Sequence, residues 1–332
     1  MAARDTIPGQ LDLFGDEEEP APEPTGVTAH PATADLVELG RRLPDHLYLG
    51  TSSWNFPGWK GLVYGANSPD KHLSAEGLPA YSRHPLLGTV GLDRTYYGPL
   101  EAGQFRHLAL NLPERFRLLV KAHEDCSLAR FPKHKRYGRR AGEKNPLFLD
   151  PVYAREMVVE PALEGLGPHL GPILFQFPPQ NIAEFGGPVG FAQQLYSFLE
   201  ALPDGVLYAI ELRNPELLTP TYAAVLDRLE ANHCFNVHPT MPDLARQRAV
   251  VGEGPALVVR WMLGQQQAYG TAQSRYAPFN RVVDPDPTSL ESIAGLCREA
   301  IETGRPAYVV ANNKAEGCAP LSLERLARAL AR

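Results

Sequence analysis

The chain has 332 residues, 44% apolar and 21% charged, a globular composition with the length to bury a large core. No run approaches the ~20 apolar residues of a membrane-spanning helix, and residues 1–10 lack the apolar stretch of a secretory signal, so a cytoplasmic protein with no membrane partner is expected. The formal net charge of −6 is unevenly spread: residues 1–45 hold ten acids against three bases, while the remainder carries 28 acids and 29 bases.

Taken in chain order, residues 1–45 read as a disordered acidic tail and residues 46–332 as one folded body. Residues 15–35 are rich in Pro, Glu, Ala and Thr and nearly free of large apolar groups, too few to offset the entropy of ordering the chain. The exception is Gln10-Leu11-Asp12-Leu13-Phe14, with three large apolar side chains in five residues. Short peptides of this kind dock apolar anchors into a partner's pocket while a polar residue sets the register. The pentapeptide resembles the bacterial sliding-clamp-binding motif at all five positions, and the resemblance implies the sliding clamp as partner. The alternative is that these side chains fold back on the body or do nothing.

From residue 46, short β-rich runs recur at 47–53, 87–93, 116–122, 171–177, 206–212, 233–238, 256–261 and 307–312. Several are continuous apolar runs, as suits parallel strands covered on both faces. Helical patterns intervene at 152–166 (broken by Pro161), 189–201, 220–231, 288–303 and 320–331. Thr219 and Thr288 read as N-caps and Gly304 as a stop. Strand–helix alternation eight times over predicts an α/β chain folded as a single (β/α)8 TIM-like barrel. The runner-up is an open doubly wound sheet, but there is no G-x-G-x-x-G after the first strand and no phosphate-binding G-x-x-x-x-G-K motif. Cys126, Cys234, Cys297 and Cys318 lie far apart, which argues against a disulfide framework or structural zinc and fits a reducing compartment.

The blocks LYLGTSSWNFPGWKGLVYG (47–65), FRLLVKAH (116–123), LGPILFQFPPQ (170–180), AIELRNPEL (209–217), LVVRW (257–261) and AYVVANN (307–313) together resemble the YecE-like TIM-barrel family, a domain of unknown function (number 72). The resemblance covers about residues 46–331. It implies the barrel and names no reaction. Several polar positions of the family pattern differ here. Gly91 stands at the family's second-strand acid, with Asp93 near its Asn. Ser127-Leu128 replaces a Thr-His pair, Asn214 a His, and Arg260-Trp261-Met262 an Arg-x-His-Gly.

Barrels of this kind gather function at the C-terminal ends of the strands. Those ends predict a wet pocket lined by Ser52, Trp54, Asp93, Lys121, His123, Gln176, Glu211, Arg213, His238, Arg260, Asn312 and Asn313. Within it Glu211, Lys121 and Asp93 are the candidate catalytic groups, Glu211 as a general base and Lys121 or Arg260 as an anion holder. The alternative for Glu211 is scaffolding, paired with Lys121 or Arg213. His123 and His238 could join Asp93 and Glu211 around a divalent metal, the less favoured alternative, but they have no metal-ligand spacing, so no metal site is assigned and no cofactor is evident.

Residues 130–144 hold seven bases and one acid, with Phe131 and Tyr137 interleaved. Following the third strand, this loop should share the pocket's face. Arg130, Lys133, Lys135, Arg136, Tyr137, Arg139 and Arg140 are candidate contacts for nucleic acid, the bases for phosphates and the aromatics for stacking. A solvated loop, or one paired with the acidic tail, is the plainer reading.

Three functions fit this pattern. The first is a clamp-tethered DNA-maintenance factor, a hydrolase or lyase if it is an enzyme. The second is a small-molecule enzyme acting on an anionic substrate such as a sugar phosphate. The third is a non-catalytic nucleic-acid-binding adaptor.

Overall fold

The computed structural model describes residues 26–264 and 269–331. At its centre is a closed barrel of eight parallel strands in sequential order. They are β1 (Leu47–Thr51), β2 (Leu87–Leu92), β3 (Arg117–Lys121), β4 (Leu170–Phe177), β5 (Tyr208–Leu212), β6 (Asn232–Val237), β7 (Leu257–Trp261) and β8 (Ala307–Ala311). All eight expected strands are present with ends shifted by a residue or two, and β8 pairs along the whole of β1 to close the ring. The open-sheet alternative is thereby excluded.

Two apolar layers hold the barrel. A large one lies between the strands and the surrounding helices. A small one fills the interior with one side chain each from six strands: Leu119, Leu174, Ala209, Cys234, Val258 and Val310. Strand side chains alternate with a period of two, so the residues two further along point the same way. Those residues are Lys121, Gln176, Glu211, Asn236, Arg260 and Asn312. An apolar plug with a polar layer directly above it is therefore written into six strands at once, and that layer is the barrel mouth.

At β1 the ring closes tightly. The β1–β2 register shifts between Leu49 and Gly50, and a Cβ on Gly50 would lie 1.9 Å from the Thr89 carbonyl oxygen. The buried Tyr81 hydroxyl completes the junction, accepting from Thr51 N at 2.9 Å and donating to the Thr89 carbonyl at 3.1 Å.

Three expectations are corrected. The folded body begins well before residue 46. Helix Ala34–Arg42 is N-capped by Thr33, buries Leu39, and ties Asp35 to Arg328 at 2.6 Å, while His30 N donates to the Val63 carbonyl at 2.8 Å. A few apolar residues suffice there because they dock on a surface already formed, which composition alone does not disclose. Residues 1–25, including the peptide 10–14, lie outside the described residues.

Pro161 does not break its helix. Pro151–Ala154 continues through a π-helical turn at Arg155–Val159 into Glu160–Leu166, and the wider turn just before the proline accommodates its ring and missing N–H. Third, the cap of helix Pro287–Glu302 is Asp286, whose carboxylate accepts from Ser289 N, with Thr288 already inside the helix. Thr219 does cap its helix, and Gly304 takes the left-handed conformation of a helix stop. Helices Asp70–Glu76, Ala102–Ala109, Leu244–Val251 and Tyr269–Tyr276 were not legible in the periodicity, each spanning only about two turns. Among the described residues no helix is long and apolar enough to cross a membrane.

Candidate functional site

The polar layer is organised around Arg260, at the end of β7 and 1% exposed. Its Nη1 donates to Glu211 Oε2 at 2.6 Å, and its Nη2 to both carboxylate oxygens of Asp93 at 2.9 Å. Glu211, fully buried on β5, also receives Arg213 Nε at 2.7 Å and is ion-paired with Arg213 Nη2. Gln176, register partner of Glu211 on β4, lies 3.5 Å from Arg260 Nη1. The result is a continuous Asp93–Arg260–Glu211–Arg213 chain of alternating charge. Charges this buried persist only when each is paired, because desolvation costs several kcal/mol per ion. Two polar atoms beside this chain, Arg260 Nε and Asn236 Oδ1 across the β6–β7 pairing, are buried without a hydrogen-bond partner among the described residues.

Burial alone would raise the Glu211 carboxyl, but Arg213, Arg260 and Lys121 outweigh it and hold the group at about 2. A carboxylate held this low favours its charged form, and both its oxygens are engaged by guanidiniums. Of the two partners considered for Glu211, Lys121 or Arg213, it is Arg213 that pairs with it, joined by Arg260.

Lys121 stands apart from this pairing. Its Nζ forms no ion pair or hydrogen bond among the described residues and sits 3.8 Å above the ring of Tyr96. It is 7% exposed at the end of β3, and burial pulls its ammonium down to about 8, with Asp93 opposing and Arg260 reinforcing the fall. Tyr96 meets Tyr97 edge to face at 5.4 Å, and Tyr97, 67% exposed, lies under the Arg136 guanidinium at 5.0 Å. Neither tyrosine was singled out from the sequence. The doublet at the end of β2, the strand that also presents Asp93, was the available signal.

Other expected site residues separate from this cluster. Trp54 is buried and its indole N–H donates to the Leu73 carbonyl at 2.9 Å, so it packs the loop after β1. Asn313 is buried, its Oδ1 accepting from Ala319 N at the start of the last helix. Asn312 Nδ2 donates to Ser52 Oγ at 2.8 Å, which ties the ends of β8 and β1 together at the mouth. His123 shares a 2.7 Å hydrogen bond with Tyr153, and burial lowers its affinity for protons. His238 bonds Thr240 at 2.9 Å and is pushed down to about 4, by burial first and then by Arg213. In both imidazoles burial favours the neutral form. Among the described residues no group of three or more His, Cys, Asp or Glu side chains is placed to hold a metal ion.

The basic loop is folded rather than free. Phe131 and Tyr137 are buried with Leu128 as its own small core, so these aromatics do not stack on a ligand. Tyr137 donates its hydroxyl to Glu124 at 3.0 Å. Three bases are committed to acids: Arg130 to Glu184 at 3.0 Å, Arg140 to Asp125 at 3.2 Å, and Arg136 to Glu124. Glu124 and Asp125 are themselves buried directly after His123, and the sequence reading passed over them. Lys133, Lys135, Arg139 and Lys144 are exposed and form no ion pair among the described residues. The loop thus combines an anchored half with a positively charged outer surface.

The family described as "Protein of unknown function DUF72" matches residues 48–332. No curated protein matches the chain. Among solved structures, a DUF72 family protein from Enterococcus faecalis is similar with a TM-score of 0.54 at 18% identity, covering 86% of this chain and 95% of that one. A DUF72 family protein from Thermotoga maritima is similar at 0.51 and 18%, covering 86% and 99%. At this identity the likeness shows the barrel fold alone.

Proposed function

The chain belongs to the DUF72 family, whose description states no activity, and from its own residues we propose a clamp-tethered DNA-maintenance factor that holds a nucleic-acid strand at the barrel mouth. The observation that carries this reading is the contact series Arg136–Tyr97–Tyr96–Lys121, which joins the basic loop to the polar layer of the barrel. Phosphates would lie along Lys133, Lys135 and Arg139, three of the four loop bases that form no ion pair among the described residues. A nucleobase would stack on Tyr97, the exposed ring beside them. This assigns stacking to Tyr97 in place of Tyr137 and Phe131. The peptide Gln10–Phe14 would dock the chain on the clamp, with eleven residues before Gly26. Eleven residues reach at most ~40 Å when extended, a shorter tether than a tail ending at residue 45 would provide. Such a link raises the local concentration of the barrel at DNA.

Fluorescence anisotropy with a single-stranded oligonucleotide tests the mouth. Binding should weaken with salt, and Lys133→Ala/Lys135→Ala/Arg139→Ala should flatten the log–log salt slope by ~2. Tyr97→Ala should cost about 1–3 kcal/mol. Absence of binding at low salt refutes the reading. For the tether, wild type should bind purified clamp and Leu13→Ala/Phe14→Ala should not. Equal binding by the two refutes it.

A second reading, an enzyme acting on a small phosphorylated substrate, is favoured by the depth of Lys121 within the barrel. It predicts that sugar phosphates compete at the mouth and that Tyr97→Ala leaves their binding unchanged.

A further inference from the structure

We propose that Lys121 is a carbonyl-reactive amine, forming an imine with the aldehyde of a phosphorylated sugar brought to the barrel mouth. This deepens the site reading above and rests on it only in taking the mouth as a substrate site.

Three features of the geometry support the role. Lys121 ends a barrel strand, with its backbone held by the Thr95 hydroxyl donating to the Lys121 carbonyl at 2.5 Å. The amine therefore projects from a rigid element. Both neighbouring acids are committed elsewhere: Glu211 to Arg213 and Arg260, Asp93 to Arg260. The amine itself rests on the face of Tyr96, with no acid within ion-pair distance among the described residues. A structural lysine at this depth would be expected to claim a carboxylate. Here the guanidiniums have claimed both.

Desolvation and neighbouring cations are the means by which a lysine becomes a nucleophile near neutral pH. The charged and titratable groups facing Lys121 are Asp93 at the end of β2, Tyr96 beyond it, Glu211 on β5 and Arg213 just past its end, and Arg260 on β7. Burial with the two arginines outweighs the two acids and brings the amine to about 8, so a usable fraction is unprotonated at physiological pH.

The step balances without a co-reactant. The Nζ lone pair attacks the carbonyl carbon and forms the C–N bond, and one amine proton passes to the carbonyl oxygen through solvent. The resulting carbinolamine then loses water, carrying off the second amine proton and leaving C=N. The imine draws electrons from the adjacent carbon, which serves cleavage of a bond β to it. An aldehyde of this class has two sources. One is the ring-opened sugar of a base-less nucleotide within DNA, and the other is a free sugar phosphate.

The test treats the full chain with sodium borohydride in the presence of either an oligonucleotide carrying one base-less site or ribose 5-phosphate, and maps the reduced adduct by peptide mass spectrometry. Lys121 should be modified at least tenfold faster than Lys133, Lys135 or Lys144 at pH 8, with labelling that rises through about pH 8. Lys121→Met should abolish that adduct. Should this variant fail to fold, site mapping on the wild-type chain still decides the matter. Modification confined to the surface lysines in both arms overturns the imine proposal, even if the oligonucleotide binds with the salt dependence expected above. Trapping of Lys121 by ribose 5-phosphate with no oligonucleotide binding supports the imine and overturns the nucleic-acid reading.

Discussion

Glu211→Gln probes the buried charge chain that shapes the mouth. The substitution keeps shape and hydrogen-bonding capacity but removes the one negative charge that Arg213 and Arg260 share. Glu211 is fully buried, and its carboxyl falls from an ordinary 4.5 to about 2. At ~1.4 kcal/mol per tenfold change in proton affinity, the folded state favours the carboxylate by about 3 kcal/mol. Loss of one partner from a buried ion pair typically costs a similar 3–5 kcal/mol. For a chain of this size that is a fall in Tm of roughly 5 °C.

The sign with pH follows from the depressed value. The contribution is complete above pH 5 and is lost as pH falls through 4.5 toward 2. By pH 3 the wild-type advantage over Glu211→Gln should shrink to about 1.4 kcal/mol. Urea unfolding of both proteins at pH 7, 4 and 3 measures this directly. A Glu211→Gln protein within ~1 kcal/mol of wild type at pH 7, or a difference that does not vary with pH, would refute the ion-pair account of the site.

Three further outcomes are expected. Gly50→Ala should block barrel closure, because its Cβ would meet the Thr89 carbonyl at 1.9 Å, and loss of soluble folded protein or a Tm fall above 10 °C checks this. His233, buried against Tyr222 and Gln247, is held neutral down to about 4 by burial. Wild-type stability should therefore decline as pH falls from 6.5 toward 4, and His233→Asn should decline less over that window, as read by denaturant midpoints. Removal of residues 1–25 should leave Tm within 2 °C, whereas removal of 1–45 should lower it clearly, since the helix Ala34–Arg42 buries Leu39 and pairs Asp35 with Arg328.

The Tyr222–His233–Gln247–Asn236 network shows why parts of the molecule resisted sequence reading. β6 pairs with β5 only at Asn232 and His233. Beyond that point Gln247, from the helix outside, accepts from Asn236 N at 3.1 Å and donates to the Asn236 carbonyl at 2.9 Å. A glutamine replacing a strand partner leaves no mark in periodicity, because its role depends on where another element delivers it. Tyr137 is a parallel case. Its position among bases suggested stacking, yet its ring is the buried core of its own loop.

By itself, the sequence determined the barrel, its eight strands and the circle of polar side chains at their C-terminal ends. Period-two alternation and continuous apolar runs are local properties, and each strand carries them independently. Tertiary structure alone decided which charge pairs with which. Asp93 and Arg260 are 167 residues apart and Glu211 and Arg260 are 49 apart, and only closure of the ring brings them within hydrogen-bond distance. The same closure gave both acids to arginines, Arg260 turning one guanidinium nitrogen to each carboxylate, and left Lys121 on the face of Tyr96.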